Sequence, residues 1–475
     1  MSSSDAAGIG DRVSDLEIAG AWVVDPTTGR EGPADLAVED GVLARLDWHE
    51  PTGATVGTGI VVAPGLVDLH AHFREPGFED AETVATGQLA AGHGGFSTVC
   101  LMPNTDPPVD EAPVLATVLG RAFESGSPVR VLAWGAATRG RAGAELASLG
   151  ELADGGALGF SDDGNPIESG VLFRNALVYA AMLGRILVDH PEDRALTKGA
   201  EANEGLVATV LGLRGWPAAG EEAAVARDLA ILADVVAADA PGARLHLTHL
   251  STAGSIELVR RAKGARLPVT CDVTPHHMAL TDEWLAGARR FAWGSGRGNP
   301  WEDGAIVALP FATSLRVNPP LRTRSDALAL LAGLRDGTVD AIATDHAPHT
   351  QVDKEVEFGF AATGISGMET ALGLALAAVE AGQLALVRAV EALTTGPARV
   401  LGDVPMAATG RPVAPGLVVG QAADLVVLDR ADGWEVSARS LRSLGKNSPL
   451  LGMRLPGRVL ATVAGGRLAW LDDEA

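Results

Sequence analysis

The amino-acid sequence predicts an α/β fold: a (β/α)8 TIM-like barrel with a small β-sandwich domain formed from the N- and C-terminal segments. Three observations carry this. The middle of the chain alternates short runs rich in Val, Ile and Leu with Ala/Leu-rich, helix-like segments, the pattern of repeated strand–helix units. Both ends instead read as short strands separated by turn residues. Most of the eleven histidines sit where a strand pattern stops, and barrel enzymes carry their chemistry at the C-terminal ends of their strands.

The expected barrel strands are Leu66–His70, Ser97–Leu101, Val129–Trp134, Leu158–Ser161, Ile186–His190, Leu245–His249, Val269–Asp272 and Ala341–Thr344. At the start of the chain, Ile18–Val24, Ala34–Val38, Val42–Leu46 and Gly59–Val62 read as strands; near the end, Ala423–Leu428, Arg458–Ala464 and Arg467–Leu471 do. Neither set can bury a core alone. They are therefore expected to pair into one β-domain, residues 16–63 with 410–475, beside a catalytic barrel at 64–409. Residues 1–15 are small and polar, lack the basic start and apolar centre of a signal peptide, and read as a disordered tail. A Gly/Pro/Trp-containing stretch at 285–314 reads as a long surface loop.

Composition excludes several functions. With 475 residues, 47% hydrophobic and 20% charged, the chain has ample material for a large core. A formal net charge of −23 repels phosphate backbones and argues against nucleic acid. No apolar run reaches the ~18 residues that span a bilayer, and no basic amphipathic stretch suits a membrane surface. The two cysteines, Cys100 and Cys271, lie in apolar runs and read as core residues without a disulfide framework, as in a cytoplasmic protein.

The chemistry starts at Asp68-Leu69-His70-Ala71-His72. In a strand, alternate residues share a face, so His70 and His72 point together, and two imidazoles so placed can chelate one metal ion. Asp162-Asp163-Gly164, His190, His249 and Asp345 follow, each closing a strand. A lone histidine at such a place is commonly a hydrogen-bonded structural residue, and an Asp before Gly a turn former. Five sites in barrel order are poorly explained that way. Imidazole and carboxylate suit Zn2+ and similar ions. Hydrolysis of an unactivated amide needs a strong nucleophile at neutral pH, which two cations about 3.5–4 Å apart supply when an oxygen ligand bridges them. It also needs a carboxylate to carry a proton to the leaving nitrogen.

Asp-Leu-His-Ala-His-Phe-Arg-Glu-Pro-Gly (68–77) resembles the amidohydrolase superfamily, and within it the bacterial type I dihydroorotase branch of the cyclic amidohydrolases. So do Met-Pro-Asn-Thr (102–105), Phe-Ser-Asp-Asp-Gly (160–164), His-Leu-Ser-Thr (249–252), Val-Asn-Pro-Pro-Leu-Arg (317–322), Ala-Thr-Asp-His-Ala-Pro-His (343–349) and Gly-Gln-Ala-Ala-Asp-Leu-Val-Val-Leu-Asp (420–429). The resemblance implies one or two Zn2+ ions per subunit: the first bound by His70, His72 and Asp345, the second by His190 and His249. Asp163 stands where many relatives bridge the metals with a carboxylated lysine. Asp345 would also be the catalytic base and acid. Arg74, Asn104 and His349 would hold a substrate carboxylate, for which guanidinium is well shaped. Asn318 would contact the ring amide, and Thr363 and Gly364 would wall the pocket.

The implied reaction is reversible hydrolysis of (S)-dihydroorotate to N-carbamoyl-L-aspartate, in pyrimidine (UMP) synthesis. The implied state is a homo-oligomer, a dimer, with association with aspartate transcarbamoylase as a further expectation. Allantoinase and hydantoinase are similar but usually carry the lysine, and simple hydantoins lack the carboxylate that Arg74 would hold. A metal-free structural subunit is the other alternative; every expected ligand is present. The sequence departs from the family pattern at Pro191, where Cys is common, and at Ala362-Thr363-Gly364, where Pro-Phe-Gly is common.

Overall fold

The computed structural model describes residues 9–50, 59–296, 298–414 and 416–472. Eight parallel strands alternate with helices through the middle of the chain: Leu66–Ala71, Phe96–Leu101, Arg130–Ala133, Gly159–Ser161, Ile186–Asp189, Leu245–Leu247, Val269–Val273 and Ala341–Ile342. Each pairs with the next in order, apart from two seams closed by isolated bridges. Gly135 with Phe160 joins the third strand to the fourth, and Ala71 with His346 joins the first to the eighth. The ring is closed, and all eight strands stand where the apolar runs placed them.

Alternation decides which side chains fill the ring. Leu245, Leu247, Cys271 and Val273 pack outward against the helices. Val67, Leu69, Leu132, Trp134, Ile186 and Val188 form a separate interior cluster. The interior beside the sixth and seventh strands is polar instead: His246, Thr248, Thr270 and Asp272 hydrogen-bond to one another there. Several barrel helices begin at a threonine or serine whose hydroxyl caps the first turn, as Thr83, Ser169, Thr252 and Thr323 do.

The two ends of the chain build a single seven-stranded sheet, in the order Arg467–Leu471, Arg454–Ala464, Leu425–Glu435, Ile60–Pro64, Asp15–Asp25, Arg30–Glu39, Val42–Trp48. The sandwich is thus one continuous sheet folded over its own apolar core. Val23, Leu36 and Val38 from one half meet Val427, Ala461 and Val463 from the other. The opposite face packs on the barrel, where the Thr462 hydroxyl donates to the carbonyl of Gly92 at 2.7 Å. The fold-back brings two turns into contact. A Cβ on Gly41 would lie 2.7 Å from the carbonyl oxygen of Gly466, and Gly41 has φ +74°, so only glycine fits both the space and the backbone.

Two expectations need correction. The proposed tail at 1–15 lies partly outside the described residues, but from residue 9 it is held. Gly10 N–H donates to Leu468 O at 2.7 Å, Val13 N–H donates to Gly466 O at 3.0 Å, and Val13 is buried. Small polar residues hid an edge contact supplied by the far end of the chain. The stretch 285–314 is not all surface. Leu285, Ala286, Ala288 and Ala292 are buried, whereas Val307 and Leu309 are 73% and 85% exposed. Its first part is tied down by Arg290, which bridges Glu283 and Asp303.

Candidate metal centre

The strand ends converge on a cluster of four histidines and two aspartates at the C-terminal mouth of the ring. His70 Nε2 and His72 Nε2 are 3.2 Å apart, and Asp345 Oδ1 lies 3.0 Å from His72 and 3.5 Å from His70. His190 Nδ1 and His249 Nε2 are 2.8 Å apart. Asp163 lies between these pairs. Its Oδ2 is 3.4 Å from His70 and 3.7 Å from His72; its Oδ1 is 3.5 Å from His249 and 3.6 Å from His190.

The backbone is bent to make this possible. Arg74, His249 and Asp345 have φ of +62°, +40° and +46°, a left-handed conformation that costs a non-glycine residue about 1–3 kcal/mol. Neighbours hold it: Asp272 Oδ1 accepts the His249 N–H at 2.7 Å. Asp68 accepts both the N–H and the hydroxyl of Thr344, next to Asp345. His346 O accepts the His72 N–H at 2.8 Å, stitching the first strand to the eighth.

The hydrogen bonds behind the rings decide which nitrogens face the centre. The Thr248 hydroxyl donates to Asp272, so it accepts from His70 Nδ1 at 2.8 Å. Asn104 Oδ1 accepts from His72 Nδ1 at 2.8 Å, and Glu192 Oε2 accepts from His190 Nε2 at 3.1 Å. These bonds leave His70 Nε2, His72 Nε2 and His190 Nδ1 with lone pairs turned inward. Lone pairs at such separations repel unless a positive charge sits among them. Asp163 Oδ1 is buried and has no hydrogen-bond partner, which a cation would also satisfy. The residues therefore fit a metal ion, and two groupings, His70–His72–Asp345 and His70–Asp163–His249, each bring ligand atoms within 4.8 Å of one another.

Electrostatics agree. Burial alone would favour neutral rings, yet the charges of Asp163 and Asp345 outweigh it and push His70 up to about 9. His190 is likewise driven against its burial to about 10 by Asp163 and Glu192. Burial opposes ionisation of Asp163 and Asp345, but the facing imidazoles hold both carboxyls below the usual range. Without metal, protons on the imidazoles supply the positive charge that the two carboxylates demand.

A cavity of about 220 Å3 opens above the cluster. Arg74, Asn104, Asn318, His349, Thr363 and Gly364 all line it. Arg74 donates from Nε to Pro348 O at 3.1 Å, and its Nη2 lies 3.2 Å from His349 Nε2. Burial lowers the guanidinium to about 10, opposed by Asp345 and Asp163, so it stays charged at neutral pH. A larger cavity of about 420 Å3 lies between barrel and sheet, around Trp434 and Trp470, and includes none of these residues.

Sequence reasoning missed the groups behind the candidate ligands. Glu192, Thr248 and Asp272 hold His190, His70 and His249. Arg141 donates to the Asp163 carbonyl oxygen. His246 hydrogen-bonds Thr270 and pairs with Asp272 beneath the centre. His277 is buried and bonds Pro319 O at 2.9 Å, bracing the Asn318 loop. Asp162 accepts from Ala137 and Thr138, and Glu75 from Val84; both shape turns.

Residues 59–255 match the family model described as Dihydro-orotase-like. A dihydroorotase of Anaeromyxobacter dehalogenans (strain 2CP-1 / ATCC BAA-258) is 44% identical over 464 residues, 97% of this chain and 99% of that relative. One of Pelotomaculum thermopropionicum is 42% identical over 461 residues, 96% of this chain and 99% of its own. Among solved structures, the L-hydantoinase (dihydropyrimidinase) of Arthrobacter aurescens superposes with a TM-score of 0.77 at 24% identity, covering 97% of this chain and 96% of its own. The D-hydantoinase (dihydropyrimidinase) of a Thermus species does so with a TM-score of 0.70 at 22% identity, covering 96% and 95%. At such identities these neighbours speak for the fold.

Proposed function

The chain belongs to the dihydroorotase family, and from that premise we propose that it hydrolyses (S)-dihydroorotate reversibly to N-carbamoyl-L-aspartate, a step of de novo pyrimidine (UMP) biosynthesis. The carrying observation is Asp163, which offers one oxygen to each imidazole pair beneath a cavity walled by Arg74. We assign catalysis to the barrel, residues 64–409, and the supporting sheet to 16–63 and 410–475.

His70, His72 and Asp345 would hold one Zn2+ and His190 and His249 a second, with Asp163 offering one carboxylate oxygen toward each imidazole pair. When bound, the ions supply Lewis-acid polarisation and a nucleophile available at neutral pH. The protein's own groups do the rest. Arg74 pairs with the substrate carboxylate and, with Asn104 and His349, orients the ring so that its amide carbonyl faces the cluster. Asp345 accepts one proton of the attacking water and delivers it to the ring nitrogen as the acyl C–N bond breaks, leaving a ureido NH2 and a new carboxyl group that releases the water's second proton to solvent as it ionises. Its normally depressed affinity for protons makes that transfer transient. The short Asp163 in place of lysine, together with the charged Arg74, favours a carboxylate-bearing ring over allantoin or a simple hydantoin. We extend the reading to a cytoplasmic homodimer, with aspartate transcarbamoylase as the partner to test by co-elution.

The decisive experiment is dihydroorotate turnover by purified protein before and after chelation, with zinc added back and Asp345→Ala as control. Loss with chelator, recovery with zinc and silence in the variant are expected. Turnover that survives exhaustive chelation overturns the metal assignment. Metal-loaded protein inert toward dihydroorotate overturns the substrate.

A further inference from the structure

Glu192 sits two residues past His190 and is buried. Its Oε1 accepts from the Thr197 hydroxyl. Its Oε2 accepts from two donors at once: His190 Nε2 at 3.1 Å and Asn318 Nδ2 at 3.1 Å. The two donors face different parts of the centre. His190 turns Nδ1 toward Asp163 and His249. Asn318 lines the cavity, and its Oδ1 is buried without a partner.

An ionised carboxylate only accepts hydrogen bonds. It therefore fixes the ring of His190 with its N–H at Nε2, and it fixes the amide of Asn318 by engaging its NH2. The unpartnered oxygen then waits for a donor, and an acceptor left unsatisfied in a buried position carries a penalty until one arrives. We propose that Glu192 is a positioning residue that ties one metal-facing imidazole to the substrate ring: it holds His190 with Nδ1 turned to the cation and Asn318 with its carbonyl oxygen turned to the cavity, where that oxygen accepts a ring N–H. The inference rests on the metal and substrate reading above and deepens it. One carboxylate oxygen sets both metal affinity and the chemical group that Asn318 recognises, so the two properties change together.

The test is a double-mutant cycle on the holoenzyme with Glu192→Gln and Asn318→Ala, reading KM for dihydroorotate and, separately, zinc affinity by competition with a chromophoric chelator. Glu192→Gln is expected to weaken zinc binding by about 10–100-fold and to raise KM by about tenfold. In the Asn318→Ala background the effect of Glu192→Gln on KM should vanish while the loss of zinc affinity remains. Independent, multiplying effects on KM, or wild-type zinc affinity in Glu192→Gln, overturn the inference. If Glu192→Gln does not fold, Thr197→Val loosens the same carboxylate and should give smaller losses of the same sign; unchanged KM and zinc affinity there also overturn it. A wild-type chain that neither binds zinc nor turns over dihydroorotate sinks the functional reading itself, a result distinct from these.

Discussion

His70 Nε2 and Asp163 Oδ2 lie 3.4 Å apart, while the other oxygen of the same carboxylate lies 3.5 Å from His249. One short side chain spans two pairs of imidazoles. Asp163→Ala should therefore lower zinc content and reduce kcat/KM by more than about 100-fold, beyond what loss of an orienting partner costs. Metal content by mass spectrometry and turnover check this together. Full zinc occupancy in the variant would remove Asp163 from the centre.

The metal-free chain should bind zinc more tightly as pH rises. His70 and His190 sit at about 9 and about 10, above the ordinary 6.5. Their protonation thus adds stability that is fully present below pH 6.5 and is lost as pH climbs through those values. Zinc competes with the same protons. Calorimetry at pH 7 in buffers of different ionisation enthalpy should register release of about two protons, and the melting temperature of chelated protein should fall between pH 7 and 10. A pH-independent affinity would contradict the assignment.

Arg74→Met should raise KM for dihydroorotate, with kcat/KM falling by about 10–100-fold, the worth of a charge-assisted contact of about 1.5–3 kcal/mol. The guanidinium lines the cavity beside His349. Hydrolysis of an uncharged cyclic ureide, if measurable, should not fall in parallel. Equal losses on both substrates would argue for a structural role.

Gly41→Val should destabilise the fold by about 1–3 kcal/mol through overpacking against the Gly466 carbonyl, 2.7 Å from the new Cβ. Calorimetry should show an earlier transition, with kcat/KM unchanged in the protein that remains folded. An unaltered transition would mean the two turns part without cost.

Where sequence and structure agree, the physical reason is local. A buried parallel strand must be an apolar run, and a polar residue at its end breaks that run, so His70, His190 and Asp345 stood out as candidates. The pair Asp162-Asp163 stood out at such an end as well, but only the resemblance to the family singled out Asp163. The groups behind the candidate ligands were not legible, because nothing near Glu192 in sequence names its partner Asn318, 126 residues on. Asp272 reads as one more strand residue until the ring closes and places it under His249, 23 residues earlier. The held segment at 9–15 failed for the same reason: its partners, Gly466 and Leu468, lie at the other end of the chain.

That distance bears on how the protein is made. Strands between residues 15 and 64 leave the ribosome long before those between 425 and 471, which complete their sheet. At about 5–20 residues per second, the 360 residues between Pro64 and Leu425 take roughly 20–70 s to synthesise. Through that interval Ile60–Pro64 has an unpaired edge and half of the small core is uncovered, the condition in which nascent chains aggregate. The ring can finish with its eighth strand at Ile342, so the first helix, Val84–His93, is already seated when Thr462 arrives to meet Gly92. The window of greatest exposure to misassembly therefore falls during translation, and it belongs to the first strands of the chain.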